Sequence, residues 1–109
     1  MLFRSPKLAD LARLDDAGFR DIFRGSPIKR VGRDRFVRNV LIAIGNSGNT
    51  ELSVVAEALL GDSSPLVRAM AVWALSQLAD GARFRQLAQA HLPEENDAGV
   101  REEWNLGFA

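Results

Sequence analysis

The stretch richest in chemistry-bearing side chains runs from Arg20 to Arg38. Seven basic residues (Arg20, Arg24, Lys29, Arg30, Arg33, Arg35 and Arg38) there meet only two acids, Asp21 and Asp34. Lys29, Arg30 and Arg33 fall in or beside a loop signature, Ser26-Pro27 followed by Gly32, at the entrance of a helix. The free backbone N–H groups and positive dipole end of a helix start favour phosphate. A guanidinium matches phosphate geometry with two parallel hydrogen bonds. The chemistry on offer is therefore anion binding. Phe36 and Val37 belong to the apolar face, so no aromatic ring is left outside to stack on bases. That favours backbone and shape recognition of folded RNA or a duplex over single-strand stacking. The competing reading is a solvated face, or arginines paired with carboxylates of neighbouring layers, a role that suits Arg38 and Arg68.

Catalytic constellations are missing. The single histidine, His91, lies between Ala90 and Leu92 with no nucleophile motif beside it, and reads as a helix-terminal cation. Glu94, Glu95 and Asp97 imitate a carboxylate cluster, but Pro93-Glu94-Glu95-Asn96-Asp97 reads better as a polar loop whose Asp97 caps the next helix. Cysteine is absent, which excludes disulfides, thiolate metal sites and iron–sulfur ligation within the chain. Gly45, Gly48 and Gly61 read as helix-end markers and form no nucleotide-binding glycine pattern. No metal and no cofactor is expected here.

The chain has 109 residues, the size of one domain, and a net charge of zero. Its charge is unevenly spread: residues 1–38 carry ten Lys and Arg against five acids, and residues 39–109 carry four against nine. Neither a signal-peptide pattern nor a membrane-length apolar run is visible, so the default expectation is a cytoplasmic protein without membrane contact.

These residues must be positioned by helices. Ser5-Pro6 reads as a cap with proline at the first helical position, ahead of Leu8, Leu11 and Leu14. Asp15 caps a second short helix with Phe19, Ile22 and Phe23 inward, ending at Gly25. A third helix is expected over about 34–46, with Phe36, Val37, Val40, Leu41 and Ile44 on one face. Thr50 is expected to cap a helix through Leu60, and Ser64-Pro65 to open one reaching about Leu78. The last two run from Ala82 to Leu92, stopped by Pro93, and onward from about Asp97. Trp73 and Trp104 read as packing residues.

Val37-Arg38, Val67-Arg68 and Val100-Arg101 recur at spacings of 30 and 33 residues, with one helix–turn–helix unit between successive pairs. The middle copy, Asp62, Pro65, Val67, Arg68, Ala71, Ala74 and Leu75, resembles HEAT-like repeats. The fold class expected is all-α: two-helix repeats stacked as a small right-handed solenoid of about six to seven helices. One repeat domain spans 1–109, made of opening helices (1–25), a basic loop (26–33), repeat 1 (34–61), repeat 2 (62–93) and a truncated capping helix (94–109). Glu102 and Glu103 of that last helix are expected to face water.

The run from Phe23 to Ser47, FRGSPIKRVGRDRFVRNVLIAIGNS, resembles the C-terminal region of epoxyqueuosine reductases, and Pro65–Leu78 with Val100–Trp104 continue the match. The resemblance implies a parent oxidoreductase that uses cobalamin and two 4Fe–4S clusters to reduce epoxyqueuosine to queuosine in tRNA. The cobalamin and ferredoxin-like parts and every cluster cysteine are missing, so Met1 reads as a start inside a longer protein and catalysis does not carry over. What carries over is a grip on substrate tRNA, with Ser26, Lys29, Arg30, Arg33, Arg35, Arg38 and Asn39 as contacts and Asn46 as a polar helper. Two alternatives remain open. One is a HEAT-like protein–protein scaffold, the other a segment that packs on its parent's own domains. The scaffold would use an apolar or acidic groove, and the segment packed on its parent would show as an exposed apolar patch, sought near Leu8, Leu11, Phe19 and Phe23.

Overall fold

A computed structural model describes residues 7–108, except for the side chains of Lys29 and Arg30. The cap expected at Ser5-Pro6 lies outside the described residues. Seven α-helices are present among them: α1 (Leu8–Ala12), α2 (Asp16–Ile22), α3 (Arg33–Asn46), α4 (Ser53–Ala58), α5 (Pro65–Leu78), α6 (Gly81–His91) and α7 (Ala98–Leu106). No strand occurs among the described residues. The fold is all-α, as the apolar spacing predicts.

Most helix starts follow side-chain capping chemistry. Asp15, Ser64, Asp80 and Asp97 each accept the N–H three residues on, from Gly18, Val67, Arg83 and Val100. Other expectations need correction. The segment 26–33 is not an open loop, because Pro27–Val31 winds into a 3-10 turn. Gly32, at φ +87°, then reverses the chain into α3, a conformation that suits glycine. The cap before α4 is Asn49 rather than Thr50. Its Oδ1 accepts the Glu51 N–H, and the helix is split into a 3-10 turn, a short α-segment and a second 3-10 turn at Leu59–Gly61. Ile22 is 56% exposed, not inward, whereas Phe19, Phe23 and Phe36 pack together as tilted rings with centroids 5.0–5.3 Å apart.

Helix α5 is the spine. It lies between α3 and α7, with α4 and α6 on its other side and α1 and α2 against α3. The resulting slab measures 41 × 34 × 18 Å, two helix diameters in its thinnest direction. The three valines of the repeat, Val37, Val67 and Val100, are at most 1% exposed. Ala71 and Ala74 on α5 are fully buried where neighbouring helices approach. Gly45 is the second-last residue of α3, where a Cβ would overlap the Trp73 ring. Trp104 is 1% exposed, packed on Phe84 and under the His91 ring. Both tryptophans are packing residues.

Candidate nucleic-acid interface

The seven residues expected to contact an anion divide into three groups. Arg33, the first residue of α3, is turned inward with its donors occupied. Its Nε donates to the Leu14 carbonyl at 2.6 Å, and Nη1 and Nη2 grip Asp62 at 2.9 and 2.8 Å. Nη1 also reaches Asp34 at 3.1 Å. The Arg33 and Asp62 side chains are only 11% and 10% exposed. Burial alone would raise the Asp62 carboxyl, but hydrogen bonds from Arg33 and the Ser64 N–H hold it below the usual carboxylate range. Arg33, expected to meet phosphate, has its donors engaged within the fold as a clamp joining the α1–α2 connection, α3 and the loop before α5.

Ser26 is also engaged, since its Oγ accepts the Ile28 N–H at 3.2 Å and closes the bend into the 3-10 turn. Lys29 and Arg30 sit on that turn, directly before α3.

The third group is Arg35, Arg38 and Asn39, at i, i+3 and i+4 on α3 and therefore on one face. Arg35 and Asn39 are exposed. Arg38 donates from Nη2 to Asn39 Oδ1 at 3.2 Å, and its Nε is buried with no hydrogen-bond partner among the described residues. From Arg35 to Thr50 the chain contains no acid at all, and Asn46 ends α3 exposed on the same stretch. This face offers cationic and amide donors, and among the described residues neither Arg35 nor Arg38 has a carboxylate within ion-pair distance.

The repeat arginines further along are hydrogen-bonded within the fold, and of the two only Arg68 meets a carboxylate among the described residues. Arg68 holds Glu95 through Nε and Nη2, both at 2.9 Å, while Nη1 takes the Asp62 and Ser63 carbonyls. The hydrogen bonds from Arg68 hold the Glu95 carboxyl low against the opposing effect of its burial. Arg101 donates from Nη1 to the Leu92 and Glu95 carbonyls at 2.9 Å. Asp62 and Glu95 as structural acids were not anticipated, though their 33-residue spacing is a signal the sequence carries. Glu103 is partly buried rather than fully in water, and burial with neighbouring Glu102 pushes its carboxyl up.

Beside the basic face lies an apolar groove of about 360 Å³, formed by Leu8, Leu11, Ile28, Val31, Phe36 and Val40 with Asn39 at its rim. Ile28 and Val31 are 41% and 42% exposed. The apolar patch sought on α1 and α2 thus includes the α1 leucines but not Phe19, which is 2% exposed. No group of three metal-ligating side chains occurs among the described residues, and with no cysteine the chain offers no seat for an iron–sulfur cluster. No described helix is long and apolar enough to cross a membrane.

A family model described as HEAT repeats matches residues 33–107. Over 82 residues the chain is 37% identical to the epoxyqueuosine reductase of Xanthomonas campestris pv. campestris, covering 69% of this chain and 23% of that protein. It is also 37% identical over 79 residues to the epoxyqueuosine reductase of Alicycliphilus denitrificans, covering 65% and 22%. Among solved structures, a crystal structure of selenomethionine-labeled epoxyqueuosine reductase matches 94% of this chain and 27% of that one with a TM-score of 0.84. At 22% identity that likeness bears on the fold alone. The resemblance read in the sequence therefore holds, and the chain spans less than a quarter of the length of these two curated relatives.

Proposed function

The chain belongs to the HEAT-repeat family, and on that premise we propose that it is the substrate-tRNA-binding repeat module of an epoxyqueuosine reductase, non-catalytic by itself and working in the cytoplasm. The observation that carries this reading is the contrast among the arginines. Arg33 and Arg68 at layer boundaries are paired with carboxylates, whereas on the outer face of α3 neither Arg35 nor Arg38 has a carboxylate within ion-pair distance among the described residues. They suit the phosphates of a folded RNA backbone, and the sequence adds two more cations, Lys29 and Arg30, on the turn just before α3. Cobalamin and cluster chemistry would belong to the parent's other domains, since nothing in this chain fits those groups.

The test is fluorescence anisotropy of this chain with a labelled tRNA transcript, titrated at several salt concentrations. Backbone capture gives log K falling linearly with log salt, and each lost phosphate contact lowers the slope by about 1. The double variant Arg35→Ala/Arg38→Ala should weaken binding across tRNA sequences, as should Lys29→Ala/Arg30→Ala. Affinity indifferent to salt and to both pairs of substitutions would remove the reading.

The groove lined by Ile28 and Val31 favours a second reading, docking against protein, whether another protein or the parent's cobalamin and ferredoxin-like domains. In that case Ile28→Asp abolishes recovery of the partner while Arg35→Ala/Arg38→Ala leaves it intact.

A further inference from the structure

The far end of the slab carries a second surface, independent of the basic face. A groove of about 510 Å³ runs along α6, the turn after it and α7. Subtracting the 33-residue repeat from its lining residues gives a consistent result. Ala88, Leu92, Pro93 and Phe108 correspond to Val55, Leu59, Leu60 and Leu75, and Arg101 corresponds to Arg68. The four apolar counterparts are at most 8% exposed, in one core with Phe84, Leu87, Val100 and Trp104 of the following layer. The groove is thus the repeat-shifted copy of a surface that, one layer earlier, is covered by a helix and its loop.

The arginines show a related pattern, with one equivalent carbonyl contact, to Asp62 in one layer and Glu95 in the next. Each uses Nη1 to hold two backbone carbonyls of its own loop: Asp62 and Ser63 for Arg68, Leu92 and Glu95 for Arg101. Arg68 then uses Nε and Nη2 to grip the Glu95 carboxylate of the next layer. No described carboxylate meets the same edge of Arg101. The remaining two lining positions have changed character, with Arg85 in place of Leu52 and Gln89 in place of Ala56. The groove is therefore apolar along its floor, carries two arginines and has no acid in its lining.

We propose that this groove docks a polypeptide segment that imitates the next repeat layer: a short helix with apolar side chains, followed by a loop glutamate or aspartate that forms the bidentate pair with Arg101. The changes at 85 and 89 select against a plain apolar layer and favour a segment with a second acid facing Arg85. Charge complementarity and the Arg68–Glu95 template identify the occupant as an acidic, amphipathic peptide.

The probe is a synthetic peptide with the sequence of residues 80–97, the segment that supplies this layer in the template, carrying Arg83→Glu. In the template Arg83 pairs with Glu57, whose shifted counterpart is Ala90, so the substitution removes a cation that would find no partner on the groove and makes the peptide more acidic. Titrated into isotope-labelled chain, it should shift the amides of Ala88, Leu92, Arg101 and Phe108. Glu95→Gln in the peptide, and separately Arg101→Gln in the protein, should each weaken binding by about tenfold, or 1.4 kcal/mol. The peptide variant leaves the protein untouched and so guards against an unstable Arg101 variant. Absence of shifts, shifts elsewhere, or shifts unaffected by Glu95→Gln would overturn the proposal. So would an RNA hairpin that shifts the same amides and competes the peptide away.

Discussion

Arg38 and Arg68 occupy the same place in the repeat, each following a fully buried valine, yet their surroundings are opposite. Arg68 is fixed by the Glu95 carboxylate and two carbonyls. The acid available one layer after Arg38 is Asp62, and Arg33 has already taken it. Among the described residues Arg38 is left with one weak contact to Asn39 and a buried Nε without a partner. The same residue at the same repeat position is thus a structural clamp in one layer and an available cation in the other. A neighbour five residues upstream decides which.

The largest effect that would break this comparison is on stability. Arg68→Met should cost about 3 kcal/mol in urea unfolding, because it strands the Glu95 carboxylate, which is 9% exposed. Arg38→Met should cost nothing, or stabilise slightly, because it deletes a donor that is desolvated and unpaired. Equal losses at the two sites would show that the pairing difference has no energetic content.

Asp62→Asn should cost about 2 kcal/mol by weakening the Arg33 clamp and one bond to the Ser64 N–H. The variant also adds a net positive charge beside α3, so tRNA affinity should hold or rise while stability falls. A loss of affinity parallel to the loss of stability would argue that Arg33 positions the binding face.

Acid sharpens the contrast further. Asp62 and Glu95 are both held below their ordinary range in the folded chain. Their contribution is therefore complete above the unfolded pKa values of about 3.9 and 4.3 and disappears as pH falls through the lower folded values. Glu103, held above its ordinary value, acts with the opposite sign and gains on protonation. Thermal unfolding should thus be nearly flat from pH 7 to about 5 and fall below it. In Arg68→Met that acid limb should be shallower.

The smallest expected effect is on binding: Arg35→Ala alone should lower tRNA affinity several-fold at low salt and reduce the salt slope by about 1, with unfolding changed by less than about 0.5 kcal/mol.

Much of the fold was legible because its signals are local. Capping residues at 15, 64 and 97 and apolar spacing along α3 and α5 place those helices within a residue or so of where they form. The local signal failed where short turns compete. Asn49 outbids Thr50 as a cap because its side-chain amide reaches the Glu51 N–H, and the Ser-Pro-to-Gly segment winds up instead of remaining open. The candidate face was half legible. Charge density identified the stretch 20–38 but could not separate Arg33 from Arg35, since both are exposed-type residues at the start of one helix.

What the sequence by itself determined is the all-α repeat class, the lack of any thiolate chemistry, and the concentration of positive charge in its first third. These depend on composition, period and residues a few positions apart. The tertiary structure alone decided which arginines are free. That depends on carboxylates 27 and 29 residues away being carried into contact by the packing of α5 against α3 and α7, and a bidentate pair forms only where the two groups meet at about 2.9 Å in the right plane.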